Sequence, residues 1–489
     1  MKIARYLGFD FSTTAASVGV RDAEGSEGFV AVPMTGATLW HGEPAFEPST
    51  LPGIILEALG RLRRAEWIFS EPGHLCASVR QHDMVLMDKN GLPLTPFITW
   101  QCHAATEQVN ALRAQGAETV VGRIEPRFIL PKLMWALAQE PALASRIQQV
   151  MTTGDYMTWR LTGRRCLSSS DALSNGLLKQ ASKQLATETI TAAGLDPGWF
   201  PSVVQSGSAC GTILTRSANG LYHDIARILD GWTVRAPLGD NHASGVGSGL
   251  DDDQTMVISL GSSGTVIRKC RHNALLAGNA ASFEYFADKL LLKMLADCAV
   301  WYNRFLKRFA GASPSLPSLN EVASATEAAN WLFVPQAEKP GGWEELYPDR
   351  WDALTLAEKV ASVQASIAIH MLRLVRDLLS EVRENAPPIT QFVLTGGLSQ
   401  SQLMQHVLAT GLNQFVPGCK VMVSGRQGPL ANKAAVLGAM LTAMVGTPGY
   451  PNLSAVIKQL CTLEAVAMPL ATIERIGQED LVKFIWRNL

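Results

Sequence analysis

The feature that most limits what this chain can become is a pattern that occurs twice, once in each half. Residues 4–9 form an apolar run that stops at Asp10, Ser12, Thr13 and Thr14, and residues 16–20 resume an extended pattern. Far downstream, residues 256–260 run into the small-residue stretch Gly261, Ser262, Ser263, Gly264 and Thr265, and 266–269 continue it. Each reads as strand, polar turn, strand. The pattern predicts a duplicated architecture with one hairpin opening each domain. At 489 residues the chain exceeds what one hydrophobic core usually organises. On that reading the boundary falls near 246, giving domains 1–245 and 246–489. Segments 311–318 and 338–342 have loop composition but are too short to be a linker between domains.

Between and after the hairpins, strand and helix patterns alternate, which predicts a mixed α/β class. Residues 131–139 have helical spacing, and 354–379 form a long amphipathic helix that ends before Pro387 and Pro388. A strand at 391–394 then leads through Thr395, Gly396 and Gly397 into a helix at 401–412, so a glycine turn sits between strand and helix.

Composition excludes several classes. The formal net charge is −1 with no basic block, so nucleic acid is not an expected partner. Residues 1–11 reach Asp10 before a signal-peptide apolar run develops, and the apolar run 434–446 falls short of the roughly 20 residues a membrane span needs. The latter reads as a buried helix, and a cytoplasmic location with no membrane partner is expected. Eight cysteines lie singly with no C-x-x-C pair, which fits reduced, buried thiols and no zinc site.

The chemistry concentrates in four places. A triphosphate needs several N–H and O–H donors with no bulky side chain in the way, and both small-residue turns meet that demand. A plain tight hairpin explains either turn taken alone. An acid at position 10, beside such a turn, makes physical sense when a cation such as Mg²⁺ offsets the repulsion, and an Asx turn is the simpler alternative. Asp240, preceded by Gly239 and followed by Asn241 and a small-residue helix, could accept a hydroxyl proton during attack on a γ-phosphate. A plain N-cap is its alternative. A strand that ends in Gly396 and Gly397 is the fourth place.

In order and spacing these segments resemble the FGGY carbohydrate kinases of the actin-like ATPase superfamily. Residues 6–14 resemble the first phosphate motif, 238–241 the catalytic-base motif, 259–265 the second phosphate motif, and 394–397 the adenosine motif. Lys132 to Trp135, Asp155 with Tyr156, and Ser170 to Ala172 agree as well. The resemblance implies two actin-like (ribonuclease H-like) domains with a ligand cleft between them that closes over substrate. It implies ATP and Mg²⁺ as cofactors, with Asp10 on the metal and Asp240 as base. Ser12, Thr13, Thr14, Gly261, Ser262, Ser263, Gly264, Thr265, Gly396, Gly397 and Leu398 would hold nucleotide. Within the family the look is xylulokinase-like, because Arg80 to Asp83 falls where those enzymes carry a sugar-contacting segment ending in His and Gly. His82, Gln81, Trp100, Asp240 and Asn241 would then bind the sugar.

Departures accompany the match. Around Trp100 the usual acid and nearby Arg are replaced by Cys102 and Ala104, the first family signature is only half present, and no Gly-Glu-Arg segment is found at 335–350. After Gly397, Leu398 and Ser399 replace a small and basic pair. The expected activity is ATP-dependent phosphorylation of a sugar hydroxyl, D-xylulose leading, with ribulose, glycerol and sedoheptulose types as other acceptors. A catalytically silent sugar or nucleotide sensor and an assembly ATPase on the same scaffold are the rivals. A homodimer is a common outcome for soluble enzymes of this kind.

Overall fold

The structure is a computed structural model. It describes residues 1–466 except 216–219, 262, 272–274, 277–279, 287, 296–297, 311–332, 336–342, 346–354 and 385–386. The chain forms two compact units, Met1–Gly247 with Phe283–Ala287 and Gln427–Ile457, and Ser248–Ser282 with Asp288–Arg426 and Lys458–Leu489.

The first unit is built on a seven-stranded sheet. The hairpin Tyr6–Phe11 and Ala15–Arg21 lies inside it, with Glu27–Pro33 at one edge. On the other side Tyr6–Phe11 pairs in parallel with His74–Val79, which also takes Thr233–Arg235 and Leu238–Gly239 as parallel neighbours. Parallel strands need both faces covered. Leu51–Arg64 buries Leu51, Ile54, Ile55, Ala58, Leu59 and Leu62 in the same core as Leu7, Phe9, Val18 and Leu75.

The helix Ala434–Met444 buries every residue from Val436 to Met444. That explains an apolar run with no polar face, since a helix apolar on all sides must be surrounded. It crosses the helix Asp240–Gly247 at two glycines. A Cβ on Gly438 would overlap the Ala243 carbonyl, and one on Gly247 would overlap the Ala434 carbonyl. Only hydrogens at both positions let the two backbones touch.

The second unit repeats the hairpin with Thr255–Leu260 and Gly264–Cys270. Its sheet includes, in order, Asp288–Leu295, Gly264–Cys270, Thr255–Leu260, Gln391–Thr395, Lys420–Ser424 and Leu463–Ala465. The amphipathic helix expected at 354–379 spans Leu356–Glu381, and its buried face, with Val360, Ile367, Met371 and Val375, packs on this sheet and on the helix Gln402–Phe415. Ser401 caps the latter helix, its hydroxyl accepting from the Met404 amide at 3.3 Å. Among the described residues no helix is long and apolar enough to cross a membrane.

Candidate active site

In the first unit three neighbouring parallel strands deliver their carboxyl ends to one place, the usual position for a ligand site in an α/β sheet. Asp10 lies opposite Ser78 and Gly239 opposite Val79. Asp10, the run Arg80–Asp83 and Asp240 therefore leave the sheet together.

Asp10 does not close its own hairpin. Ser12 does, its hydroxyl donating to the Ala15 carbonyl at 2.8 Å. The Asp10 carboxylate instead accepts from the Ser78 hydroxyl at 2.7 Å. Burial raises its pKa to about 6, against the lowering influence of Ser78 and Arg80. Asp240 opens the helix Asp240–Gly247, and its Oδ1 accepts from the next amide, Asn241 N, at 2.9 Å. Both residues are half-buried, and burial, and next the charge of Asp10, raise Asp240 to about 7. Two raised acids, one of them raised in part by the charge of the other, form a site that a cation would relieve.

The approach to Asp240 is fixed from below. The Ser170 hydroxyl accepts from Gly239 N at 3.2 Å, and the Ser168 hydroxyl donates to the Pro237 carbonyl at 2.7 Å. Asn241 donates to Gln81 Oε1 at 3.1 Å, and Gln81 Nε2 donates to the Ser174 hydroxyl at 3.3 Å. Asp171, fully buried on the helix Ser169–Ser174, is held well above the carboxylate range by burial and then by Asp155 and Asp240.

His82 adopts φ 75°, a left-handed conformation that costs a non-glycine residue energy and marks a constrained position. Its ring stacks on Phe128 with centroids 4.8 Å apart, and Nδ1 lies 3.0 Å from Asn175 Oδ1. That oxygen also accepts from Ile129 N at 3.0 Å. The Asn175 oxygen is thus the acceptor and His82 Nδ1 carries the proton, which leaves Nε2 as an acceptor for a hydroxyl donor. Burial, then Arg127, hold this ring well below the ordinary histidine pKa, so it is neutral. Lys132, fully buried, donates to the carbonyls of His82, Ile98 (3.0 Å) and Thr99 (3.2 Å). Burial lowers its pKa to about 8.

Trp100 joins the same cluster through its backbone, donating to Asp83 Oδ1 at 3.0 Å, while its indole N–H donates to Thr13 Oγ1 at 3.3 Å. Asp83 is paired with Arg80, whose Nε and Nη2 lie 2.8 and 2.7 Å from Oδ2. Arg80 also donates to the Ser12 carbonyl at 3.2 Å. This buried ion pair ties the first polar turn to the His82 segment. Only Gln81 and His82 of that segment were expected to matter. The signal for the rest was an Arg and an Asp three residues apart at a strand end. Cys102 is buried near Lys132, whose ammonium lies in its electrostatic range.

In the second unit Ser259 lies opposite Thr395 in a parallel pair, so the turns after both strands emerge side by side. Gly396 has φ 89°, and a Cβ there would stand 2.6 Å from the Leu260 carbonyl carbon. Gly261, Ser263, Gly264 and Thr265 thus adjoin Gly396 and Gly397; Ser262 lies outside the described residues, as does most of 335–350. Leu398 points into the core at 1% exposure, so only its backbone is available to a nucleotide.

Residues 70–230 match the FGGY family of carbohydrate kinases, N-terminal domain. Over 420 residues the chain is 27% identical to the xylulose kinase of Streptomyces coelicolor, an overlap of 82% of this chain and 83% of that protein. The ligand-bound xylulose kinase of Lactobacillus acidophilus superposes with a TM-score of 0.81 at 17% identity, covering 99% of this chain and 97% of that one. A gluconate kinase from the same organism gives 0.80 at 17% identity, with the same coverage. Likeness at such identities establishes the fold, the two-domain α/β class expected from the repeated hairpins.

Proposed function

We propose that this chain, a carbohydrate kinase of the FGGY family, transfers the terminal phosphoryl group of ATP to a hydroxyl of an open-chain ketose such as D-xylulose, with Asp240 as general base. The observation that carries this is the convergence of Asp10 and Asp240 at the ends of parallel strands on either side of His74–Val79, with Asp240 raised to about 7. A base with a pKa near the working pH is both free to accept a proton and basic enough to take it. Asp240 takes the hydroxyl proton as the sugar oxygen attacks. Gln81 and Asn241 hold the base in register, and His82 Nε2 accepts from a second hydroxyl, which orients the acceptor carbon.

Among the described residues no group of three or more His, Cys, Asp or Glu side chains could hold a metal. A single carboxylate completed by phosphate oxygens and water suits magnesium, which keeps much of its own shell. Asp10 fits that role, and the ion would neutralise phosphate charge. The division of labour follows the two halves: sugar and the first phosphate turn on 1–245, ATP on 246–489, with Gly261 to Thr265 and Gly396 to Leu398 around the nucleotide. The xylulose kinases among its relatives favour a pentulose.

The test is ADP release from ATP and Mg²⁺ across pentuloses, hexuloses, heptuloses, sugar acids and polyols, with Asp240→Asn beside the wild type. Strong stimulation by one acceptor, lost in the variant, is the expected result. ATP binding with no stimulation by any acceptor would favour the silent sensor instead.

A further inference from the structure

Two thiols of the first unit face each other at close range. Cys166 Sγ and Cys210 Sγ are 2.7 Å apart, 44 residues apart in sequence, and both residues are 2% exposed. With Ala236 they form a small buried cluster of their own. The backbone holds each of them there. The pairing of Ala209–Thr212 with Thr233–Arg235 slips between Ala209 and Gly211, so Cys210 is the extra residue of a bulge. A bulge re-aims a side chain, and this one brings Cys210 to Cys166. On the other side, Cys166 immediately precedes the strand Leu167–Ser168. Ser168 is anchored twice, its amide donating to Asp155 Oδ1 at 3.0 Å and its hydroxyl to the Pro237 carbonyl at 2.7 Å. A disulfide needs about 2 Å between sulfurs, so the bond closes with a movement of less than about an ångström.

We propose that Cys166 and Cys210 are a poised thiol pair that a small peroxide-type oxidant converts to an intramolecular disulfide. The Cys210 sulfur attacks one peroxide oxygen, the O–O bond breaks, and the departing oxygen leaves as water with the thiol proton. The resulting sulfenic acid is attacked by Cys166, whose proton leaves with the displaced hydroxide as a second water. In balance, two thiols and one hydrogen peroxide give one disulfide and two waters. Cys210 is the better nucleophile, because the hydrogen bond it shares with Cys166 holds its pKa below the ordinary thiol value. Burial restricts the oxidant to something small, since a bulky disulfide such as oxidised glutathione has no approach to a sulfur this enclosed. The bond would pin the segment before Ser168 to the strand Ala209–Thr212, beside Ala236 and four residues short of Asp240. It depends on nothing about the sugar.

The full chain is treated with hydrogen peroxide, unfolded in an alkylating reagent and mapped by mass spectrometry beside a reduced control. The reduced protein takes up eight alkyl groups. The oxidised protein is expected to take up two fewer and to yield one peptide that joins Cys166 to Cys210. Its thermal midpoint should lie a few degrees above that of the reduced form, and Cys166→Ser should abolish both effects. The wild-type map decides even if that variant folds poorly. Full alkylation after peroxide, or a linkage between other cysteines, overturns the pairing.

Discussion

Replacing Asp240 with Asn should make the protein more stable while it abolishes turnover, and the stabilisation should grow with pH. In the folded chain this carboxyl titrates at about 7, against 3.8 for the unperturbed group. Its folded pKa is raised, so between those values the folded state holds a proton that the unfolded state releases, and stability falls as pH rises through that window. The cost is absent below about pH 3.8, reaches about 2 kcal/mol at pH 5, and levels off near 4 kcal/mol by pH 8. Because Asp240 is only half-buried, these are upper values. Asparagine keeps the shape and cannot ionise, so its advantage over the wild type should widen by roughly 2 kcal/mol from pH 5 to pH 8. Urea unfolding of both proteins at the two pH values measures this directly, and phosphotransfer assays run alongside. An advantage that stays constant with pH, or reverses at pH 8, would refute the idea that Asp240 is held in a costly environment for the sake of its basicity.

Other consequences are equally open to measurement. The acid limb of kcat/KM should have its midpoint near pH 7 and fall about tenfold per unit below it, because only ionised Asp240 accepts a proton; a limb centred near 4 would show an unperturbed base. Lys132→Met removes the donor shared by the carbonyls of His82, Ile98 and Thr99 and should cost about 2–4 kcal/mol of stability. It should also raise the sugar KM at least several-fold while leaving the KM for ATP alone, which steady-state kinetics in both substrates would check. Gly438→Ala should destabilise by about 3 kcal/mol through overpacking against the Ala243 carbonyl and lower kcat by shifting the helix that carries Asp240; wild-type melting and turnover would show that the crossing tolerates a methyl group.

What a sequence exposes is local periodicity and chemistry at fixed offsets, and the elements here divide along that line. Both hairpins, the long helix now bounded at Leu356 and Glu381, and the strand to glycine turn at Gly396 follow from short-range pattern, with ends displaced by a residue or two. Asp10 and Asp240 stood out because an acid beside small residues is chemically odd. The contacts that give those acids their properties join residues far apart in the chain. Ser78 reaches Asp10 across 68 positions, Ser170 reaches Gly239 across 69, and Lys132 reaches His82 across 50. Burial of residues 434–444 was legible from their composition, but what they pack against was not, because an apolar run carries no address. Cys166 and Cys210 read as ordinary buried thiols for the same reason, since the bulge that joins them is a property of strand register.

The glycine crossing between Asp240–Gly247 and Ala434–Met444 also sets an order of events during synthesis. The helix that presents Asp240 emerges from the ribosome about 200 residues before the helix that covers it. At about 5–20 residues per second, the nascent first unit waits on the order of 10–40 s with that seam uncovered. A chain that stops short of Ala434 has every residue of the candidate base and sugar cluster, yet lacks the nine buried residues that close over them. Early nonsense products should therefore behave as clients for chaperones and proteases rather than as smaller sugar-binding proteins.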